Sequence, residues 1–490
     1  MNIETYKYKT KPFQHQKELF ERTADYQYYA LFWEQGCGKT KPVIDTCAYQ
    51  YLKGTVDALL VVAPNGVHRN WITDELPAHL PDEVAKDACY FYWQSNKANN
   101  KGYQEQLKNL LKHKGLLVLT VSYEGFMTKQ ARKFIWKLLK QRKVFYALDE
   151  AHKIKEPKAK RTISINASGK YAVFRRLLTG TPIAKGPFDA YSQVRWLSDQ
   201  FWKDRGFGGF LSFKTHFGIW MKAADVKEQQ GYDPGYDQLV GYRNIEELNK
   251  YIDKVGDRLT KETAGLDLPP KLFQKRFFEM TPAQVKAYNE LREEYITELE
   301  SGEVVEATLA IVRLLKLQQI TCNYVTTEAD EPTVLISDKN PRLDVLKDIT
   351  DNLTTPAIIW ARFSRDIDQI MDLLGDKACR YDGKVDDEGR AVNKKAFQNG
   401  EKQFFVGNQQ AGSTGLTLIQ AKTVIYYSNS FGLVDRLQSE DRAHRIGQHN
   451  PVNYIDIMCK GTVDEHIVKS LRSKFDLALQ ITGDNMKEWI

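Results

Sequence analysis

The sequence predicts an α/β protein with two parallel-sheet lobes in tandem and helical insertions. Two observations carry this expectation. Short apolar runs alternate with helical periodicity, and they do so in two separate series. The stretch between the series has a different composition.

The first series is Ala58–Ala63, Gly115–Val121, Val144–Leu148 and Arg175–Leu178. Each run is too short for a free-standing helix, and its lack of polar alternation fits a strand buried on both faces. Helical patterns separate the runs, for example Tyr103–Lys112 and Ala131–Lys143. The second series is Ala357–Trp360, Phe404–Val406 and Thr423–Tyr427. Strand–helix alternation implies open parallel sheets covered on both faces. Between the series, residues 196–260 are rich in aromatics, Gly and charge, and GYDPGYD (231–237) reads as a loop. Pro269–Pro270 cannot continue a helix, so 266–271 reads as a linker. Residues 282–322 read as long helices. The expected division is a first lobe at 1–195, its mainly helical insertion at 196–265, a linker with a helical protrusion at 266–330, and a second lobe at 331–490.

No apolar run approaches the roughly 18 residues of a membrane span, and MNIETYKYKTKPF has no apolar core of a secretory signal. The six cysteines are scattered without CxxC or His/Cys spacing, so free thiols in a reducing compartment are expected, with no structural metal. The cytoplasm of a bacterium or phage-infected cell is the expected setting, and a monomer the expected state. Net charge is +7, but residues 129–161 concentrate twelve basic residues against three acids. Such a run suits a polyanion, although a solvated helix face looks the same.

The string WEQGCGKT (33–40) follows the apolar run Tyr29–Phe32 and precedes a helical pattern. Gly36 and Gly38 let backbone N–H groups turn toward a phosphate. Lys39 can reach the outer phosphates, Thr40 can place its hydroxyl on Mg²⁺, and the helix N-terminus adds partial positive charge. Alone, GCGKT could be an incidental Gly-rich turn, because Trp33 stands where the usual phosphate loop has Gly. The string ALDEAH (147–152) closes the run Val144–Leu148, about 110 residues later. Residues at the C-terminal end of a parallel strand face the ligand crevice. Asp149 can hold Mg²⁺ there, and Glu150 can act as general base on an attacking water. Far along the chain, Arg442 and Arg445 are spaced to share one face of a helix. They could stabilise charge on a γ-phosphate, or simply pair with Glu440 and Asp441 on a surface.

This order of motifs resembles the superfamily-two helicases, and within them the Swi/Snf-type DNA translocases, from about Phe13 to Ile467. KPFQHQ (11–16), LLVVAPNGVHRNWITDE (59–75), VSYE (121–124), DEAHKIK (149–155) and LLTGTPI (177–183) resemble the first-lobe motifs. QQITCN (318–323), IIWARFSRDID (358–368), YDGKVDDEGR (381–390), AGSTGLTL (411–418) and QSEDRAHRIGQ (438–448) resemble the remainder. The resemblance implies RecA-like lobes with ATP held between them. By it, Gln16 reads adenine, with Gln14 the alternative. Gly36, Cys37, Gly38, Lys39, Thr40 and Gly415 bind ATP. Thr179 and Thr181 couple nucleotide to track. Arg445 is the arginine finger, with Arg442 a second γ-phosphate contact and Gln438 positioning both. DNA, double-stranded or branched, is gripped through its backbone by Pro64, Asn70, Trp71, Ser122, Tyr123, Arg362, Asn408, Gln409, Gly412 and Ser413. The chain departs from the family at Trp33, at Asn408–Gln409, at Ser413 and at SNSFG (428–432). Three functions compete: a translocase on duplex DNA, a helicase or branch-migration enzyme on forks and junctions, and a non-catalytic scaffold with a relic ATP site.

Overall fold

The computed structural model describes residues 2–180, 182–183, 186–230, 235–300, 307–326, 334–412, 416–469 and 471. In it the first series of apolar runs forms one sheet. Its strands are β1 (Tyr28–Trp33), β2 (Ala58–Ala63), β3 (Cys89–Tyr92), β4 (Leu117–Ser122), β5 (Val144–Asp149) and β6 (Phe174–Leu178). A small ribbon of β7 (Gly218–Met221) and β8 (Gln238–Tyr242) follows, and then β9 (Gly256–Leu259) returns to the sheet. The order is β3-β4-β2-β5-β6-β1-β9, and every pairing is parallel. All side chains of β2, β4 and β5 are buried. Helices cover both faces, so these strands carry no polar alternation.

The second sheet contains β10 (Lys271–Phe278), then, after a two-stranded ribbon of β11 (Tyr324–Val325) and β12 (Val334–Leu335), β13 (Ala357–Trp360), β14 (Ala378–Tyr381), β15 (Phe404–Gly407), β16 (Thr423–Tyr426) and β17 (Val452–Cys459). Its order is β10-β17-β16-β13-β15-β14, again all parallel. The protein is therefore two parallel-sheet α/β units with helices, as the sequence predicts. Helices Pro282–Glu300 and Ala307–Thr321 occupy the stretch read as long helices.

The units divide at Asp267/Leu268, with Trp220–Val240 belonging to the second. Two stretches differ from their expected use. β9, within the expected insertion, hydrogen-bonds to β1 and completes the first sheet. β10, within the expected linker and protrusion, is the edge strand of the second sheet. Among the described residues, no helix is long and apolar enough to cross a membrane. All six cysteines are free.

Arg342 anchors the second unit. Its side chain is fully buried and ion-paired with Asp464. It also donates to the Tyr427 carbonyl at 2.6 Å and to Thr321 Oγ1 at 2.9 Å. Removing one partner of a buried pair leaves the other charge uncompensated. Arg342→Ala should therefore destabilise this unit by about 3–5 kcal/mol, read from urea or thermal unfolding. The bulk of that loss should appear as a lower midpoint rather than a changed slope.

Candidate functional site

β1 ends at Trp33 and the next helix starts at Thr40, so residues 34–39 form a loop from a parallel strand into a helix N-terminus. Backbone N–H groups and the helix dipole favour an anion at such a junction. Gly36 and Gly38 adopt φ of 87° and 74°, which a side chain resists. At Gly38 a Cβ would also lie 2.4 Å from Gln16 Nε2. That crowding comes from a clamp. Gln16 Nε2 donates to the Gly38 carbonyl at 2.9 Å, and its Oε1 accepts from the Phe13 N–H at 2.9 Å. His15 Nε2 lies 3.0 Å from the Cys37 carbonyl. Consecutive residues of helix Gln14–Thr23 thus hold consecutive carbonyls of the loop, whereas Gln14 bonds to Glu18 on the surface.

Trp33, the departure from the usual loop, is buried with its ring edge-on to His15 at 5.2 Å. Glu34 is tied to the β9 side: its N–H donates to the Leu259 carbonyl at 2.7 Å, and its carboxylate accepts the Lys261 N–H at 2.8 Å. Lys39 Nζ donates to the carbonyls of Trp33 (2.9 Å) and Glu34 (3.3 Å), over the end of β1.

β5 delivers Asp149 as its last residue. Glu150 follows in the left-handed conformation, at φ 51° and ψ 51°. For a non-glycine residue that conformation costs about 1–3 kcal/mol and persists only where the surroundings enforce it. They do so here. Glu150 Oε1 accepts from Gln35 Nε2 at 3.1 Å, and Oε2 lies 3.3 Å from His152 Nδ1. His152 Nδ1 is also 3.2 Å from Thr179 Oγ1. The phosphate-type loop, the DEAH string and Thr179 are thereby joined in one unit. Thr181 lies outside the described residues. Gln35 and His152 are functional candidates that sequence reasoning missed; each adjoins a motif residue, but only its partner reveals its use.

Asp149 is buried, and each carboxylate oxygen has a donor. Oδ1 accepts the Glu150 N–H at 2.9 Å and Oδ2 accepts Trp71 Nε1 at 3.0 Å. Tyr123 OH donates to the Asp149 carbonyl at 2.8 Å. Burial, then repulsion from Glu150, pushes the Asp149 carboxyl up to about 6, against the opposing pull of Trp71 and Lys39. The donors at hand, the Thr40 hydroxyl and the Asp149 carboxylate, are hard oxygens of the type Mg²⁺ prefers. With a glycine-lined loop and one lysine, the set fits a nucleoside triphosphate carried with Mg²⁺.

Several expected DNA contacts of this unit need correction. Trp71 and Tyr123 are fully buried beneath Asp149, so neither can face a polymer. Pro64 is buried too. Ser122 is buried and caps the next short helix through the Gly125 N–H at 2.9 Å. Asn70, at the end of helix Val67–Asn70, is the half-exposed member of the set.

In the second unit the expected helix face is absent. Helix Leu433–Glu440 ends before Arg442, and the chain tightens into turns through Gly447. The two arginines still converge, because Arg442 Nη1 (3.3 Å) and Arg445 Nη1 (3.1 Å) both donate to the Leu416 carbonyl. Arg442 is buried and Arg445 half-buried; Gln438 is buried on the helix before them. Arg362 is half-buried, its guanidinium 4.1 Å over the Phe431 ring, and burial pulls its pKa down to about 10. Asn408 is half-exposed. Gln409 is buried, contrary to a role in contact with DNA: its Oε1 accepts the Ser430 N–H at 2.7 Å. Two departures from the family pattern, Gln409 and the 428–432 string, thus bond to each other. Gly412 closes the short helix Gln409–Gly412, and Ser413 and Gly415 lie outside the described residues.

Comparison with known proteins gives two family matches: the SNF2-related domain over residues 25–325 and the helicase conserved C-terminal domain over residues 341–447. The chain is 25% identical to the probable chromatin-remodeling complex ATPase chain of Oryza sativa subsp. japonica, over 95% of this chain and 41% of that protein. It is also 25% identical to the human SWI/SNF-related matrix-associated actin-dependent regulator of chromatin subfamily A member 1, over 92% of this chain and 43% of that protein. It therefore spans about two fifths of the length of these relatives. A solved structure, the Sulfolobus solfataricus SWI2/SNF2 ATPase core in complex with dsDNA, matches at 21% identity and a TM-score of 0.42, covering 100% of this chain and 96% of that one.

Proposed function

This chain belongs to the SNF2-related domain family, a Swi/Snf-type branch of the superfamily-two helicases, and on that premise we propose that it is an ATP-hydrolysing motor that moves along double-stranded DNA. The observation that carries the proposal is the chain of contacts Gln35–Glu150–His152–Thr179, which fixes a strained acidic residue beside a glycine-lined loop. Glu150 is the general base: it takes a proton from water as the water oxygen attacks the γ-phosphorus and the bond to the ADP oxygen breaks. Lys39 neutralises charge on the outer phosphates, and the N–H groups at residues 36–40 cradle the inner ones. Gln16 uses the remaining hydrogen of its amide on the adenine edge. Thr40 and Asp149 would hold Mg²⁺, which when bound neutralises phosphate charge. Arg442 and Arg445 supply positive charge to the transition state. Thr179, bonded to His152, passes the state of this site toward the track.

The polymer is gripped through phosphates, with the partly exposed Asn70, Arg362 and Asn408 as contacts. Such binding tolerates any sequence and weakens steeply with salt. The test is ATP hydrolysis without polymer and with duplex DNA, single strands, forks and RNA. Duplex DNA should stimulate the rate most. Equal rates in all conditions would refute the motor reading. Displacement of a triplex third strand without unwinding of the duplex is expected; strand separation at forks would instead identify a helicase.

A further inference from the structure

Trp71 is a buried side chain that bonds to the Asp149 carboxylate and adjoins the half-exposed Asn70. It opens a π-helical turn, Trp71–Glu75, that continues directly from helix Val67–Asn70. Asn70, the half-exposed candidate for phosphate contact, is its neighbour in the chain. π-Helical turns are rare, and they occur often at functional sites. The wider turn sets the indole inward. Its only polar atom, Nε1, reaches Asp149 Oδ2 at 3.0 Å. The other oxygen is held by the backbone of Glu150, so Trp71 is the one side chain in this pair of bonds. The indole follows directly on helix Val67–Asn70 in the chain, so a displacement of that helix bears on its hydrogen bond to Asp149. The bland alternative is a core tryptophan that has merely found an acceptor.

We propose that Trp71 is a positioning residue through which a phosphate backbone on helix Val67–Asn70 sets Asp149 to receive a divalent cation. The inference rests on the motor reading and assigns the regulation of its site. It predicts that polymer and metal favour one another: duplex DNA should tighten the binding of Mg·ADP more than that of metal-free ADP, and W71F should remove this difference. Phenylalanine keeps an aromatic ring at this buried position and removes the N–H donor, at the cost of the smaller ring's lost volume.

The experiment is calorimetric titration of ADP into the full chain, in EDTA and in Mg²⁺, with and without duplex DNA. In the unsubstituted protein Mg²⁺ should tighten ADP binding, and duplex DNA should tighten it further. In W71F the EDTA affinity should be unchanged and the gain from Mg²⁺ should fall about tenfold, the scale of one hydrogen bond to a charged group. Duplex DNA should then have no effect on that gain. A full gain in W71F, with DNA response intact, would overturn the inference and leave Trp71 a core residue. Absence of any ADP binding by the unsubstituted protein would overturn the motor reading itself. Unfolding curves in EDTA verify that W71F is folded, and Trp71→Leu, which also lacks a donor, replaces it in the same titrations if it is not.

Discussion

Replacing Glu150 by glutamine should lower kcat by about 10²–10⁴-fold, the usual contribution of a positioned general base, while ATP binding survives. The change is nearly isosteric. Glutamine can still accept from Gln35 Nε2 through its carbonyl oxygen, so the left-handed turn at residue 150 should keep its shape. What it cannot do is accept a proton from water. The loop at 34–39 is held by Gln16, His15 and the β9 side, none of which depends on the Glu150 charge. Nucleotide affinity, measured with a fluorescent ATP analogue, should thus stay within a few-fold of the unsubstituted value. A single-turnover measurement separates chemistry from release: the loss should appear in the chemical step. Measurable turnover that is unchanged in Glu150→Gln would remove the general-base role, and no turnover in either protein would favour the scaffold with a relic ATP site. A loss of binding would mean that Glu150 is a structural prop for the loop.

The inner strands of both sheets were legible and the edges were not. β2, β4, β5, β13, β15 and β16 are buried on both faces, so burial alone dictates their composition. The four edge strands, β3 and β9 in the first sheet and β10 and β14 in the second, escaped notice. An edge strand is partly solvated and carries mixed residues, as in KLFQKRFF at 271–278. β17 is an interior exception. It carries Asn453 and Asp456, and Asp456 is paired with Arg436, a partner some twenty residues away that no local pattern reveals.

The candidate site divides in the same way. Its backbone-driven parts were readable, because Gly36 and Gly38 are needed for positive φ and the carboxylates belong at a strand end. Sequence order does not say whether a side chain turns in or out, and the motif residues Trp71, Tyr123 and Gln409 turn inward. Each proved to be spent on a buried polar atom.

Arg445→Ala should lower DNA-stimulated kcat by about 10³–10⁵-fold if its guanidinium acts as an arginine finger, with little loss of stability. The two arginines can be told apart by burial. Arg442 is 6% exposed and sits against the Leu416 carbonyl inside the second unit, so its removal also opens a hole in a polar core. Arg445 is half-buried and donates to that same carbonyl, so its removal leaves Leu416 with Arg442 as a donor. A neutral–charged hydrogen bond at a half-exposed position is worth about 1.5–3 kcal/mol at most, and solvent competition reduces that further. Equilibrium unfolding of Arg445→Ala should accordingly move by much less than that of Arg442→Ala, whereas turnover should fall at least as far. Arg445→Lys sharpens the assignment. Lysine keeps the positive charge but loses the planar fork, and a finger that meets two phosphate oxygens needs the fork. Partial recovery of kcat by free guanidinium in Arg445→Ala, but not in Arg442→Ala, would identify the group that reaches the transition state. Full activity in Arg445→Ala would transfer the role to Arg442. Full activity in both would remove the second unit from the chemistry and confine hydrolysis to the loop, Asp149 and Glu150.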